Sequence, residues 1–275
     1  IYTGEDTLSL HDALPISSGE EALIAVVLMV QVSLNYEGQV PWSAELCERG
    51  HHLGVRLHVA EVLTLRCDWR AAAAQYYVAM SRLSAALMRS IARGLGLPET
   101  TFDAAFEQGI STLRFIRYPL RTPQSLVAIT DEAMWTEHLG QRRYLTGRAH
   151  ADTGFLTLLA QDGVDGLQAQ HRDGTWLDIS PADGTLAVNF GKVLQRWTGG
   201  RVKATQHRVL GNGQERCSIP FFYEPRPDAV IAPLPLSDVA PFDPFYYGDH
   251  LWETITVHNV EFRGIGHLRQ PLGKP

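Results

Sequence analysis

The chain has 275 residues, 45% of them hydrophobic and 20% charged, which is enough apolar material for one sizeable core. Its net charge of −6 gives no electrostatic reason to expect nucleic acid or an acidic membrane as a partner. Three widely spaced cysteines, Cys47, Cys67 and Cys217, argue against a disulfide framework and predict a reducing, cytoplasmic environment.

The first residues are predicted not to be native. Thr7 to Ile16 resemble the in-frame translation of a sequencing-library adapter, so residues 1–16 are excluded from the fold prediction. The apolar run from Ala22 to Val30 is too short to span a membrane, and no basic segment precedes it as in a secretion signal. We predict a buried strand or a strand–helix junction there.

Residues 17–110 are predicted to form a partly helical N-terminal region. Asp68 to Gly96 is rich in alanine, leucine, methionine and arginine, which favours a long helix that ends before Pro98. Its predicted apolar stripe consists of Tyr76, Leu83, Leu87 and Ile91. A second, short helix is predicted from Glu99 to Gln108.

Residues 111–235 are predicted to form a β domain. The segment "TLRFIRYPL" predicts a strand that ends at Pro119. From Gly154 onward, six short apolar segments alternate with turn dipeptides such as Asp162-Gly163, which indicates a β-sandwich or jelly roll. Residues 236–275 form a C-terminal extension, in which a short helix is predicted within "YGDHLWETITVHNVEFRGIG".

A His-x-Asp pattern occurs twice, at His150/Asp152 and at His171/Asp173. The second pair precedes Gly174 between two predicted strands. Aspartate followed by glycine is typical of a tight turn, so we predict that His171 and Asp173 are structural.

The first pair has a possible third partner. His150 and Asp152 are predicted to enter a strand, and His207 lies on a later strand, 55 residues past Asp152. Strands far apart in sequence face one another inside a jelly roll. Two imidazoles and one carboxylate that converge there would form the facial triad that holds non-haem Fe(II). Taken alone, His207 is more typical of an ordinary strand histidine with its hydrogen bonds satisfied.

Arg216 and Ser218 are predicted to lie on the same face of a strand, because side chains alternate along it. A buried arginine needs an anionic partner, and Glu215 points to the opposite face. We therefore predict that Arg216 forms a bidentate pair with an external carboxylate, with the Ser218 hydroxyl as a further donor.

At this point the chain resembles a known family, the Fe(II)- and 2-oxoglutarate-dependent oxygenases of the isopenicillin-N-synthase-like branch. The resemblance extends from about Tyr76 to Pro235. It is carried by the order and spacing of "LRFIRYP", "HADTGFLTLL", "GLQ", "DGTWLDI", "GTLAVNFG", "HRV" and "ERCSIPFF". It implies a mainly β protein with flanking helices, whose core is a double-stranded β-helix (a jelly roll, cupin-like) preceded by a helical N-terminal region.

The resemblance also implies roles for individual residues. His150, Asp152 and His207 would be the iron ligands at the catalytic centre. Arg216 and Ser218 would bind the distal carboxylate of 2-oxoglutarate, and Tyr118 would donate its hydroxyl to the same group unless it is an ordinary core tyrosine. Two further residues within these segments need comment: one has no predicted role, and the other departs from the family pattern. Asn189 matches a strand position near the metal without an assigned role, and Lys192 stands where the family commonly has an acidic or small polar residue.

The activity implied is oxidation of a small organic substrate by O2 and 2-oxoglutarate, with release of succinate and CO2. The outcome would be hydroxylation, desaturation or ring closure. Three alternatives stay open from the sequence: an isopenicillin-N-synthase-type Fe(II) oxidase that does not use 2-oxoglutarate, a non-catalytic jelly-roll binding module, and a metal-free structural domain. Neither the substrate nor the oligomeric state follows from the sequence.

Overall fold

The computed structural model describes residues 69–237, 239–258 and 264–275. The predictions for the adapter-like segment and for the apolar run at 22–30 lie outside these residues. Among the described residues, no helix is long and apolar enough to cross a membrane.

Helices flank a β core. In chain order they are α1 (Trp69–Gly94), α2 (Asp103–Phe106), α3 (Pro123–Val127), α4 (Lys192–Trp197) and α5 (Tyr247–His258). Short 3-10 turns cover Glu132–Met134 and Gly266–Leu268. The long first helix and the helix in the C-terminal extension are confirmed predictions.

The strands are short and pair only in antiparallel fashion in the described part of the chain. They are β1 (Thr112–Leu113), β2 (Ile116–Tyr118), β3 (Trp135–His138), β4 (Gln141–His150), β5 (Leu156–Gln161), β6 (Leu167–Gln170), β7 (Trp176–Asp178), β8 (Ala187–Phe190), β9 (His207–Leu210), β10 (Arg216–Tyr223), β11 (Val230–Ile231) and β12 (Phe245–Tyr246).

Two five-stranded sheets face each other. The first has the order β1-β10-β5-β8, with β2 also paired to β10, and the second has the order β3-β4-β9-β6-β7. Leu159 and Ala187 of the first sheet pack between the sheets against Leu167 and Val209 of the second. Non-sequential neighbours in both sheets and a shared interior give the predicted jelly roll, and this interior contains the candidate site.

Helix α1 covers the outer face of the first sheet, where the ring of Tyr77 packs edge-on against Phe221 at 5.2 Å between centroids. Of the predicted stripe of this helix, Tyr76, Leu87 and Ile91 pack partly buried against the core, and Leu83 is the wrong member. The buried positions are small or flexible residues, and Leu83 is 38% exposed. These buried positions are Ala73, Met80, Ser84, Met88 and Ala92. Small side chains let the helix approach the sheet closely, so volume decides the buried face here.

Two predicted elements are shorter than expected. The helix predicted from Glu99 to Gln108 consists of α2 alone, because Gln108 has a left-handed φ of 56° and Thr100 lies in a turn. The strand predicted across "TLRFIRYPL" is interrupted at Arg114 and Phe115, which separates β1 from β2 although both pair with β10.

Several elements were not predicted; besides α3 and the β11–β12 pair, they include the β3–β4 hairpin and α4. Strands β3 and β4 form a hairpin whose turn residues, Leu139 and Gly140, both have positive φ, at 49° and 71°. This is the conformation that usually selects Asn-Gly, so the sequence carries a weak turn signal. Helix α4 follows directly after β8, with Gly191 as its N-cap.

Candidate metal centre

Two strands of the second sheet bring the site's histidines together. His150 is the last residue of β4 and His207 is the first of β9, and the two are paired across the sheet. Their ring centroids are therefore only 4.3 Å apart. Asp152 does not lie on a strand as predicted, because β4 ends at His150 and Asp152 occupies the loop before β5.

One nitrogen from each histidine and one oxygen of Asp152 converge. The three ligand atoms all lie within 4.8 Å of one another. Asp152 Oδ1 is 3.7 Å from Nε2 of His150 and 3.7 Å from Nε2 of His207. Two imidazole nitrogens and one carboxylate oxygen are the donor set of the facial triad typical of non-haem Fe(II) sites.

Backbone carbonyls orient both imidazoles. Nδ1 of His150 lies 2.7 Å from the carbonyl oxygen of Arg148, and Nδ1 of His207 lies 3.0 Å from that of Thr205. Because a carbonyl can only accept, each Nδ1 carries the proton and each Nε2 presents its lone pair to the shared point. Burial lowers the pKa of His207, which favours the neutral form that binds metals.

Two side chains hold the other oxygen of Asp152. Its Oδ2 accepts hydrogen bonds from Thr157 Oγ1 at 2.5 Å and from Asn189 Nδ2 at 2.7 Å. Both donors are buried and point into the interior from the paired strands β5 and β8. This arrangement leaves Oδ1 free for a metal. The sequence prediction missed Thr157 altogether and noted Asn189 only as a matching position without a role.

The loop that carries Asp152 is also fixed through its backbone. The first amides of α4 donate to it: Lys192 N to Asp152 O at 2.8 Å, and Val193 N to Thr153 O at 3.0 Å. Helix α4 therefore anchors the ligand loop, and Lys192 contributes there through its backbone amide.

The site is closed on one side and open on the other. The side chain of His150 is 55% exposed, whereas those of Asp152 and His207 are 13% and 10% exposed. A molecule from solvent would thus reach the cluster on the His150 side.

Arg216 lies in the same interior, on β10, and is only 2% exposed. Its Nη2 donates to Gln161 Oε1 at 3.0 Å and its Nε donates to the Val164 carbonyl at 3.3 Å. Its Nη1 is buried without a hydrogen-bond partner among the described residues. A buried unpaired donor on a cation is costly, so this end of the guanidinium is suited to an external anion.

Ser218 and Tyr118 border Arg216 as predicted from alternation and from the "IRYP" segment. Ser218 is 2% exposed and lies two residues along the same strand. Tyr118 pairs with Arg216 across β2 and β10, and its ring centroid is 5.1 Å from the guanidinium carbon. Glu215 points away and forms an ion pair with Arg117 at 2.7 Å. Arg216, Ser218 and Tyr118 are therefore neighbours in this sheet.

The second His-x-Asp pair lies in the turn between β6 and β7, as predicted. Asp173 accepts hydrogen bonds from the backbone and side chain of Thr175, and Gly174 has a φ of 91°. These contacts lower the pKa of Asp173 to about 2. His171 and Asp173 therefore stabilise a turn.

Comparison with known proteins matches the 2OG-Fe(II) oxygenase superfamily to residues 130–225. The chain is 36% identical over 170 residues to a 2-oxoglutarate-Fe(II) type oxidoreductase, hxnY, of Emericella nidulans, covering 61% of this chain and 45% of that protein. It is 32% identical over 193 residues to a homoarginine-6-hydroxylase of Oryza sativa subsp. japonica, covering 67% of this chain and 55% of that one. The chain spans about half the length of these curated relatives.

A solved structure has the same architecture. Full-length Neurospora crassa T7H in complex with alpha-KG superimposes with a TM-score of 0.60 at 25% identity, covering 69% of this chain and 58% of that one. The matched segment 130–225 contains His150, Asp152, His207 and Arg216. Residues 130–225, which carry the His–Asp–His cluster, therefore belong to the 2OG-Fe(II) oxygenase superfamily.

Proposed function

We propose that this chain is a non-haem Fe(II)- and 2-oxoglutarate-dependent oxygenase that acts on a small organic substrate. The observation that carries the proposal is that two features lie in the same interior of the jelly roll. One is the His150–Asp152–His207 cluster, and the other is the buried Arg216 with an unpaired nitrogen.

The side chains fit the two ligands. His150, Asp152 and His207 would hold Fe(II) through two Nε2 atoms and Oδ1. Arg216, Ser218 and Tyr118 would bind the distal carboxylate of 2-oxoglutarate. Bound Fe(II) supplies the redox chemistry by which O2 and 2-oxoglutarate oxidise a C–H bond and release succinate and CO2. The histidines have no general-base role in this scheme, because their Nε2 lone pairs face the metal position.

The relatives support use of 2-oxoglutarate rather than the oxidase alternative. They are described as 2-oxoglutarate-Fe(II) oxidoreductases, and the Neurospora crassa structure contains alpha-KG. They also support a small molecule as the substrate class, since another T7H structure holds thymine. Hydroxylation, desaturation or ring closure, the cytoplasmic location and the domain boundaries at 111–235 are further parts of the proposal.

The test is an anaerobic titration of the protein with Fe(II), followed by visible absorption with and without 2-oxoglutarate. We expect a weak charge-transfer band that appears only when both are present. Arg216→Ala should lose the band but keep metal binding, and His207→Ala should lose both.

Other outcomes would reject the proposal in distinct ways. Metal binding without any band in the wild type would favour the Fe(II) oxidase. No metal binding would favour a non-catalytic jelly-roll module.

A further inference from the structure

We propose that Gln161 is a positioning residue that holds Arg216 so that the site selects a 2-oxo acid with a second, distal carboxylate. This inference rests on the proposed function, since it concerns how the 2-oxoglutarate pocket obtains its selectivity.

The first observation is how the guanidinium is used. Nε and Nη2 share one edge of that group, and this edge is occupied by the Val164 carbonyl and by Gln161 Oε1. The expected bidentate pairing of an external carboxylate therefore cannot use that edge. The free part is the Nη1 end, which is buried and unpaired within the described residues.

The second observation is that Gln161 is itself fixed. Its Nε2 donates to the Ile179 carbonyl at 3.3 Å, so its Oε1 is the atom directed at Arg216. Gln161 also lies directly opposite Ser218 in the β5–β10 pairing. The amide is thus held at both ends, and it holds the arginine next to the serine hydroxyl.

The third observation concerns charge. Both acceptors on the occupied edge are neutral, so they orient Arg216 without neutralising it. Among the described residues, no carboxylate forms an ion pair with Arg216. Asp162 acts on it only from a distance, and its carboxylate accepts from the Cys217 amide. The cation therefore keeps its charge for a ligand carboxylate.

A near-isosteric substitution tests this directly. Gln161→Glu keeps an oxygen on Arg216 but adds a negative charge. If the new carboxylate lies about 6 Å from the distal carboxylate of 2-oxoglutarate, the two negative charges repel each other. At an effective dielectric constant of about 20, this repulsion corresponds to roughly a 100-fold loss of affinity. Binding is measured anaerobically by calorimetry on the Fe(II)-loaded protein with two probes, 2-oxoglutarate and 2-oxopentanoate, which lacks the distal carboxylate.

We expect Gln161→Glu to weaken 2-oxoglutarate binding by roughly 100-fold while the affinities for Fe(II) and 2-oxopentanoate stay within about threefold of wild type. A purely structural defect would weaken both oxo acids alike. Gln161→Leu, which removes the amide without adding charge, should lose less 2-oxoglutarate affinity than Gln161→Glu. Gln170→Glu is the matched control, because it makes the same chemical change on β6, where the Gln170 amide donates to the Gly174 carbonyl. This variant should bind 2-oxoglutarate as the wild type does.

The inference is overturned if Gln161→Glu keeps its preference for 2-oxoglutarate, if it loses both oxo acids or Fe(II) equally, or if Gln161→Leu is the weaker binder. A wild type that binds neither Fe(II) nor 2-oxoglutarate would instead reject the proposed function, so the two failures are distinguishable.

Discussion

Asn189 is expected to determine how tightly the site holds its metal. Its amide donates at 2.7 Å to the Asp152 oxygen that does not face the histidines, and its side chain is buried. Asn189→Leu keeps most of the volume and removes this donor. A hydrogen bond to a charged group contributes about 1.5–3 kcal/mol, which corresponds to roughly a 10- to 100-fold loss of metal affinity.

Thr157 donates the second hydrogen bond to the same oxygen of Asp152, and this bond can be removed independently of the first. Thr157→Val is nearly isosteric and deletes the 2.5 Å hydrogen bond to the same oxygen. Each single variant leaves one donor on Oδ2, whereas the double variant leaves none. We therefore expect the double variant to bind metal more weakly than either single variant.

The assay is calorimetric titration with Fe(II) under anaerobic conditions, paired with urea unfolding of the metal-free proteins. Asn212→Leu is the control, because that amide bonds the Asp165 carbonyl at the exposed surface, away from Asp152. The reasoning is refuted if Asn189→Leu binds Fe(II) within twofold of wild type, or if the control loses as much affinity.

Two further predictions concern stability near the metal loop. A Cβ on Gly191 would lie 2.2 Å from the Gly154 carbonyl oxygen, so Gly191→Ala should cost about 1–3 kcal/mol in urea unfolding, whereas Gly94→Ala, with open space around it, should not destabilise. Equal midpoints for the two variants would contradict this. Burial raises the pKa of Glu224 from 4.5 to about 8. The unfolded chain then releases this proton near pH 4.5 and the folded chain only near pH 8, so the contribution of Glu224 to stability is largest below pH 4.5 and falls between these values, by up to roughly 5 kcal/mol. Glu224→Gln should remove that slope in unfolding measured from pH 5 to pH 8, and identical slopes in both proteins would exclude it.

The elements best predicted from the sequence are those with a strong local signal. Alternating apolar residues between turn dipeptides located β5 to β10, because one face of each strand must be buried. The hairpin at Leu139-Gly140 was missed because leucine gives no turn signal. On α1, Leu83 was wrongly assigned to the buried face because hydrophobicity favours leucine, while close packing on a sheet favours alanine and serine.

The candidate ligands were accessible from the sequence, but their partners were not. Alternation gives the face on which a side chain lies, and it does not give the neighbour across the sheet. Asn189 is 37 residues from Asp152, and Gln161 is 55 residues from Arg216. Both contacts depend on strand pairing and on side-chain rotamers, and neither can be predicted from the spacing of residues along the sequence. For the same reason, the sequence did not show that the Nε–Nη2 edge of Arg216 is occupied, which leaves the Nη1–Nη2 edge for the predicted bidentate pairing.

The two sheets divide the proposed tasks of the site. The proposed carboxylate site lies on β10, β5 and β2 of the first sheet, in which Arg216 is almost fully buried. The exposed ligand, His150, ends β4 of the second sheet, and two residues before it Arg148 pairs with Asp131 at 2.5 Å. A substrate that enters on the His150 side would therefore pass the Arg148–Asp131 pair. Changes at Asp131 or Arg148 could alter which substrate is accepted while 2-oxoglutarate binding stays intact, because no described hydrogen bond or ion pair links that pair to Gln161 or Arg216.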